Sequence, residues 1–270
     1  MLFYNCFPFL FCYIYNVDNK GNSIMKKIKV TIWNEFRHEK TEANVKAVYP
    51  DGIHTALKNG LAAEDLEIRC AWLDQPENGL PQEILEDTDV LLWWGHMAHH
   101  EVADDVINRV HARVLEGMGL IVLHSGHYSR IFQKLTGCSG SLKWREAGER
   151  TIIWNLAPNH PITQGIGDYF ELEHEEMYGE RFDVPDDCRI IFASWFEGGN
   201  VFRSGLTFER GMGKIFYFQP GHETYRSYYD SNVLKVIGNS IRWAAPLIYK
   251  KPEVPNYPAL AEIHTTLNCK

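Results

Sequence analysis

Residues 119–130, GLIVLHSGHYSR, decide the fold of this chain. The apolar run 120–123 ends abruptly at His124-Ser125-Gly126-His127, and helical spacing of apolar residues begins at Arg130. A short apolar run of this kind is typical of a buried strand, and a strand that enters a helix through a tight turn is half of a β-α-β unit. Open α/β sheets bind their ligands at the carboxyl ends of such strands. The residues of this turn are therefore candidates for function.

The first half of the chain alternates between strand-like and helix-like segments. Strands are predicted at 28–33, 66–73, 89–94 and 119–123, and helices at 50–61, after Pro81, at 101–117 and from Arg130. Gly117 fits the position just beyond the end of the third helix. This order predicts a parallel, doubly wound sheet, with an unrelated mixture of helices and strands as the alternative.

The second half has a different pattern. Strands are predicted at 150–156, 170–178, 189–196, 201–208 and 214–219, separated by glycine-rich turns and followed by a helix at 231–244. These strands extend the sheet and are partly antiparallel. We expect a single α/β domain over residues 25–248 and a proline-containing C-terminal tail over 249–270.

Residues 1–24 are apolar and aromatic but do not resemble a signal peptide. They carry no basic start, and Pro8 interrupts a run too short for a membrane span. We interpret 1–24 as a non-native or disordered leader that precedes a natural start at Met25. A genuine anchor or cleaved signal is the alternative.

Composition excludes several classes of function. The net charge of −8 argues against a nucleic-acid partner, and no cluster of basic residues indicates a membrane surface. The six cysteines form no CxxC pair, which favours a reduced, cytoplasmic protein without a disulfide framework. We expect no nucleotide cofactor.

Histidines follow several of the predicted strands. These are His38, His96, His124, His127 and His222. Because parallel strands point the same way, their carboxyl ends share one rim, and we expect these side chains to surround one crevice. The alternative is that each is a solvated or capping residue.

Histidines at the carboxyl ends of the strands are compatible with three kinds of chemistry. Zinc is the first, with His38, His96, His124 and His222 as candidate ligands, although no HExxH motif supports it. Proton transfer is the second, because histidine titrates near neutral pH. Its candidate carboxylate partners are Glu173, Glu175 and Glu176; strand alternation would place Glu173 and Glu175 on one face and His174 and Glu176 on the other.

A serine nucleophile is the third reading. Ser125 lies at a turn between strand and helix, but the surrounding residues lack the G-x-S-x-G pattern, so we interpret it as a small residue at a helix start. Aromatic residues near the strand ends, such as Trp94 and Tyr178, could stack on the apolar face of a sugar.

Five ordered motifs carry a resemblance to a known family. They are WGH at 94–96, GLIVLHSG at 119–126, NHPITQGI at 159–166, EHEEMY at 173–178 and GKIFYFQPGHE at 213–223. In this order they resemble the ThuA-like family, which is associated with trehalose utilisation and has a fold related to class I glutamine amidotransferases. The resemblance implies a three-layer, flavodoxin-like arrangement with its site at the strand ends.

The resemblance also implies a role in sugar catabolism. The expected substrate is trehalose or a related, oxidised keto-disaccharide, and the protein is expected to be a homo-oligomer. Amidotransferases need a cysteine nucleophile after the central strand, and none stands near His124, so thiolate-dependent glutaminase chemistry is not expected.

The interpretation assigns roles to individual residues. His124, His222 and Glu176 are predicted to be catalytic. Trp94, His127, Tyr178 and Glu223 are predicted to bind substrate. A non-catalytic sugar-binding or regulatory module is the alternative function.

Overall fold

The fold is described by a computed structural model, which covers residues 15–17 and 23–262. Its strands are β1 (Tyr15–Val17), β2 (Ser23–Met25), β3 (Ile28–Asn34), β4 (Leu66–Trp72), β5 (Val90–Trp94), β6 (Gly119–Leu123), β7 (Lys143–Asn155), β8 (Tyr169–Gly179), β9 (Arg189–Phe196), β10 (Val201–Arg210) and β11 (Gly213–Phe218). Its α-helices are α1 (His38–Thr41), α2 (Ala43–Val48), α3 (Ile53–Gly60), α4 (Gln82–Glu86), α5 (Asp104–Glu116), α6 (Arg130–Thr136) and α7 (Ser231–Ala244). Short 3-10 helices occupy Pro76–Gly79, His99–Glu101, His124–Tyr128, Pro161–Thr163 and Ser227–Tyr229.

One nine-stranded sheet organises the domain, in the order β4-β3-β5-β6-β11-β10-β9-β7-β8. The pairs from β4 to β11 are parallel, and the pairs from β11 to β8 are antiparallel. The predicted fold class is confirmed: the sheet is parallel in its first half and is extended by antiparallel strands in its second half.

Helices cover both faces of the sheet, which makes the three layers. Strand β6 shows why, because every one of its residues is buried. Leu120 and Val122 pack into the core beneath α5 and α6, whereas Ile121 and Leu123 pack into the opposite core beneath α3 and α7. Apolar side chains on both faces are what a strand buried between two helical layers requires.

Several element bounds differ from the predictions, and three of the differences are described here. Helix α5 begins at Asp104, because residues 99–101 form a separate 3-10 turn. Two short helices, α1 and α2, occupy 38–48, where no helix was predicted. Strand β7 begins at Lys143, seven residues before the predicted strand; its first five residues are exposed and are held by pairing with β8.

The two ends of the chain are only partly described. Apart from the antiparallel strands β1 and β2, the predicted leader lies outside the described residues, so its assignment stays a prediction. Residues 250–262 of the predicted tail are exposed and form no helix or strand. In the part of the chain that the structure describes, no helix has the length and apolar character needed to cross a bilayer.

Candidate functional site

The carboxyl ends of the parallel strands meet around one cavity of about 540 Å³. His38 follows β3, His96 follows β5, His124 follows β6 and His222 follows β11. The sheet therefore brings together the four histidines that were predicted to be metal ligands. Residues lining the cavity include His38, His96, His99, Ser125, His127, Tyr128, Trp144, Glu146, Glu176, Tyr178, His222 and Glu223.

Glu176 and His222 line the cavity, and together with His124, which is not a lining residue itself, they form a group that we call the floor triad. All three residues are buried, at 0%, 4% and 3% exposure. The Oε2 atom of Glu176 lies 3.0 Å from Nε2 of His124 and 3.9 Å from Nε2 of His222. One ligand atom from each residue lies within 4.8 Å of the others, so the triad could hold a metal ion.

A second group, the upper triad, lies beside the first and consists of His38, His96 and Glu223. The Oε1 atom of Glu223 lies 3.3 Å from Nδ1 of His38 and 3.9 Å from Nε2 of His96. Its Oε2 atom lies 3.8 Å from Nε2 of His222. The predicted ligands thus form two adjacent groups, and Glu223 connects them.

A hydrogen bond from Nδ1 fixes the orientation of the His124 ring. Nδ1 donates to the backbone carbonyl of Gln219 at 2.8 Å, so Nε2 is the atom directed at Glu176 and at the hydroxyl of Tyr178, 3.2 Å away. The backbone at His124 has φ +47°, a left-handed conformation uncommon for a residue with a side chain. The turn from β6 therefore holds this residue in an unusual and well-defined position.

His127 and Ser125 have simpler surroundings. His127 hydrogen-bonds through Nδ1 to the carbonyl of Gly140 at 2.7 Å. The hydroxyl of Ser125 donates to the carbonyl of Gly95 at 2.8 Å. Ser125 therefore connects two turns at the strand ends, which agrees with its interpretation as a small structural residue.

Negative charge accumulates in the site. Three carboxylates, Glu175, Glu176 and Glu223, are almost fully buried. Within the described residues, the ion-pair partners of Glu176 and Glu223 are all histidines. Buried charges need compensation, so the site favours a cation, either a proton or a metal ion.

The pKa values of the histidines follow from this charge. Burial opposes protonation of His124, but the carboxylate of Glu176 beside its Nε2 and the charges of Glu175 and Glu223 raise its pKa to about 9. Burial lowers the pKa of His222 to about 2, and the charges of His124 and His96 act in the same direction. Burial also lowers the pKa of His96 to about 4. In the absence of a metal ion, one proton on His124 is the cation of the floor triad.

Glu175 anchors the loop that carries His222 and Glu223. It accepts hydrogen bonds from the backbone N–H groups of Glu176, Gly221 and His222, at 2.9, 2.9 and 3.2 Å, and from the hydroxyl of Ser227 at 2.6 Å. Burial raises the pKa of Glu175, while the charge of His124 and these donors act in the opposite direction. Glu175 therefore positions the site without facing the cavity.

The predicted alternation along β8 does not hold. Glu173 and His174 are exposed, whereas Glu175 and Glu176 are both buried. The register of β8 against β7 shifts between the Glu149 and Thr151 positions, which breaks the regular alternation of side chains.

Glu35 anchors the loop that carries His96. Its carboxylate accepts from the backbone N–H groups of His96 at 2.7 Å and Met97 at 3.1 Å. The sequence patterns gave Glu35 no predicted role. Its position directly after a parallel strand was the available signal.

The predicted substrate-binding residues are divided between cavity and core. His127, Tyr178 and Glu223 line the cavity, but Trp94 does not. Trp94 is 1% exposed, and its indole N–H donates to the carbonyl of Gly221 at 3.1 Å. Its contacts support the loop before His222, and its predicted contact with substrate stays a prediction.

The cavity also has aromatic residues at its opening. Trp144 is 66% exposed and Tyr128 is 53% exposed, although both line the cavity. The sequence pattern did not indicate Trp144 as a site residue, because residues 143–149 show no apolar alternation. Large apolar rings open to solvent at a cavity mouth are suited to contact a ligand.

Comparison with known proteins identifies the family. The sequence profile described as "ThuA: Trehalose utilisation" matches residues 29–244. The chain belongs to the ThuA family. Among curated proteins, none matches this ThuA-family chain in sequence.

Solved structures share the fold at low sequence identity. A ThuA-like protein from Bacteroides uniformis is 14% identical, with a TM-score of 0.61 over 81% of this chain and 91% of its own. One from Parabacteroides merdae is 13% identical, with a TM-score of 0.61 over 86% and 95%. A Salmonella typhimurium protein, described as cytoplasmic, is 13% identical, with a TM-score of 0.55 over 81% and 100%. At these identities the similarity establishes the fold alone.

Proposed function

We propose that this ThuA-family protein is a cytoplasmic, sugar-processing enzyme that binds zinc at the floor triad. Its proposed substrate is trehalose or a related disaccharide, including oxidised keto forms. One observation carries the proposal: Oε2 of Glu176 is buried, has no hydrogen-bond partner among the described residues, and faces Nε2 of both His124 and His222.

The residues present fit a zinc ion. Zinc binds imidazole nitrogen and carboxylate oxygen at roughly 2.0–2.2 Å, which places two tetrahedral ligand atoms about 3.3 Å apart. The separations of 3.0 and 3.9 Å in the floor triad bracket that spacing. The hydrogen bond from Nδ1 of His124 to the Gln219 carbonyl is the outer contact that orients a zinc-binding histidine.

Three protein ligands beside an open cavity match the arrangement of catalytic zinc sites rather than structural ones. When bound, zinc at such a site supplies a Lewis acid that polarises a carbonyl or activates water. The hydroxyl of Tyr178, 3.2 Å from Nε2 of His124, lines the cavity next to the proposed ion. It is placed to donate a hydrogen bond to a substrate oxygen.

The cavity supports a sugar as the substrate class. Its volume of about 540 Å³ lies within the usual range of small-molecule sites. Trp144 and Tyr128 present aromatic surface at the opening, where the apolar face of a pyranose ring could stack, and His127 and Glu146 supply polar groups. Membership of a family described by trehalose utilisation points in the same direction.

Metal analysis combined with a turnover assay tests the proposal. The purified protein is expected to hold at least one zinc ion per chain and to convert trehalose or keto-trehalose. The variants His124→Ala and His222→Ala are expected to lose both zinc and turnover. His174→Ala, which removes an exposed histidine, is the matched control and should retain both.

The outcomes separate the two functions. Absence of zinc, together with unchanged sugar affinity in His124→Ala and His222→Ala, would contradict the enzyme and favour a non-catalytic sugar-binding module. Circular dichroism of each variant verifies that it is folded.

A further inference from the structure

We propose that the upper triad, His38, His96 and Glu223, binds a second divalent metal ion, and that the carboxylate of Glu223 bridges this ion to the one at the floor triad. The inference rests on the proposed function for the first ion. It adds a second ion-binding site and a two-metal centre.

The position of Glu223 carries the inference. Its two carboxylate oxygens face different groups: Oε1 lies 3.3 Å from Nδ1 of His38, and Oε2 lies 3.8 Å from Nε2 of His222. A carboxylate with one oxygen toward each of two histidine groups has the geometry of a bridging ligand. Bridged ions in two-metal sites lie roughly 3.5–4 Å apart.

The upper triad also contains unsatisfied buried atoms. Nδ1 of His38 and Oε2 of Glu223 have no hydrogen-bond partner among the described residues, although these side chains are 6% and 4% exposed. Nδ1 of His38 and Oε1 of Glu223 are close but are not aligned for a hydrogen bond. Because a buried polar atom without a partner is costly, an ion between these side chains would compensate them.

Outer contacts orient the proposed ligands. Nε2 of His38 lies 3.4 Å from Oε1 of Glu42, which leaves Nδ1 as the nitrogen that faces Glu223. A carboxylate behind a histidine in this way is the usual outer contact of a metal ligand. Glu35 holds the His96 turn through two backbone N–H groups.

Charge supports a second ion. Glu176 and Glu223 are both buried, and their ion-pair partners among the described residues are all histidines, so one ion at each triad would compensate both carboxylates. Two adjacent ions would suit a ligand with two neighbouring oxygens. The vicinal hydroxyls of a sugar, or a hydroxyl beside a ketone, have that arrangement.

Zinc titration of the metal-free protein tests the second site. The full chain, stripped with a chelator, is titrated with zinc chloride by calorimetry, and bound zinc is measured after gel filtration. The wild type should bind two zinc ions per chain. The paired variant His38→Ala/His96→Ala should bind one, and the control His174→Ala should bind two.

The result also separates the two proposals. One zinc ion that is lost in His124→Ala/His222→Ala but retained in His38→Ala/His96→Ala overturns the second site and leaves the proposed function intact. A single zinc ion that is lost in each of the two double variants also overturns the second site, because all four histidines would then share one ion. Absence of zinc in the wild type overturns both proposals.

A spectroscopic measurement on the wild type avoids reliance on variants that fold poorly. Two manganese(II) ions bridged by Glu223 are expected to give an exchange-coupled electron paramagnetic resonance signal when the stripped protein is loaded with manganese chloride. Only the six-line signal of isolated ions at full loading would contradict the bridge.

Discussion

Glu175 is fully buried and accepts four hydrogen bonds, three of them from the loop after β11. Glu175→Gln replaces one of the two acceptor oxygens by an amide N–H₂ group, which cannot accept hydrogen bonds from the donors around it. We expect a loss of about 3 kcal/mol in the free energy of unfolding, because buried donors lose a charged partner. We also expect zinc affinity to fall by about 10- to 100-fold, as it does when outer contacts of a metal ligand are removed.

The neighbouring Glu173 provides a matched control on the same strand. Glu173 is exposed, so Glu173→Gln should change neither quantity. Urea unfolding and zinc titration of both variants check the expectation. Equal stability and equal zinc affinity in the two variants would show that Glu175 does not position the site.

Ser125 is expected to be chemically inert. Its hydroxyl donates to the Gly95 carbonyl, and in the described part of the chain this hydroxyl has no hydrogen bond to a histidine that could serve as a base. A fluorophosphonate probe should therefore leave the protein unlabelled under conditions that label a known serine hydrolase. Labelling that disappears in Ser125→Ala would overturn this expectation.

At the level of single residues, the sequence indicated the histidines of the site but not the residues that hold them in position, such as Glu175. His96, His124 and His222 directly follow predicted strands, and the direction of a parallel strand determines where its end lies. Glu175 acts on Gly221, His222 and Ser227, which are 46 to 52 residues away in the chain. Contacts over that distance depend on the order of strands in the sheet, which local pattern does not specify.

Among the elements, the loop after β11 depends on Gly221. Its φ of +135° favours glycine, and a Cβ atom there would lie 2.0 Å from the hydroxyl of Tyr228. Gly221→Ala is expected to cost at least about 3 kcal/mol in the free energy of unfolding, because backbone strain adds to overpacking.

A comparison with Gly199 separates the cost of backbone strain from the cost of overpacking. It also has a positive φ, +89°, but a Cβ atom there would meet nothing within 4 Å. Gly199→Ala should therefore cost only about 1 kcal/mol. Chemical denaturation measures both variants, and equal costs would mean that the contact with Tyr228 is easily relieved.

The 3-10 helix Pro161–Thr163 has a pH-sensitive cap. Nδ1 of His160 accepts from the backbone N–H of Ile162 at 3.2 Å, which requires a neutral ring. Burial, with the charges of Arg189 and Lys214, lowers the pKa of His160 to about 4. Because this pKa lies below its unfolded value of about 6.5, the contribution to stability is present above pH 6.5 and is lost as the pH falls toward 4.

His160→Asn should remove this pH dependence, because asparagine caps a helix without titrating. Between pH 7.5 and 5, the wild type is expected to lose about 2 kcal/mol more stability than the variant. Urea unfolding at several pH values checks this, since the other buried histidines are common to both proteins. Parallel stability curves would contradict the assignment.

Elements with a strong period were predicted well, and irregular ones were not. Strand β9 and helix α7 were predicted at their observed bounds, and Asp230 caps α7 because its carboxylate accepts from the N–H groups of Asn232 and Val233. The start of β7 was missed, because its pairing with β8, not its own pattern, makes residues 143–149 a strand. Trp144, at the mouth of the cavity, was missed for the same reason.

For the whole molecule, the alternation of strands and helices predicted the parallel half of the sheet and the position of the site. The same topology brings His38, His96 and His222 to one cavity and places His124 against its lining residue Glu176, although these histidines span most of the domain in sequence. Their division into two groups depends on Glu176 and Glu223, which come from β8 and from the loop after β11. Sequence spacing alone could not show which histidine faces which carboxylate.

Anomalous diffraction at the zinc absorption edge, from crystals grown with zinc chloride, tests the central claim most directly. We expect a peak at the floor triad, roughly 2.0–2.2 Å from Nε2 of His124, the carboxylate of Glu176 and Nε2 of His222. Ordered density for these three side chains without an anomalous peak between them would contradict a zinc site in this protein.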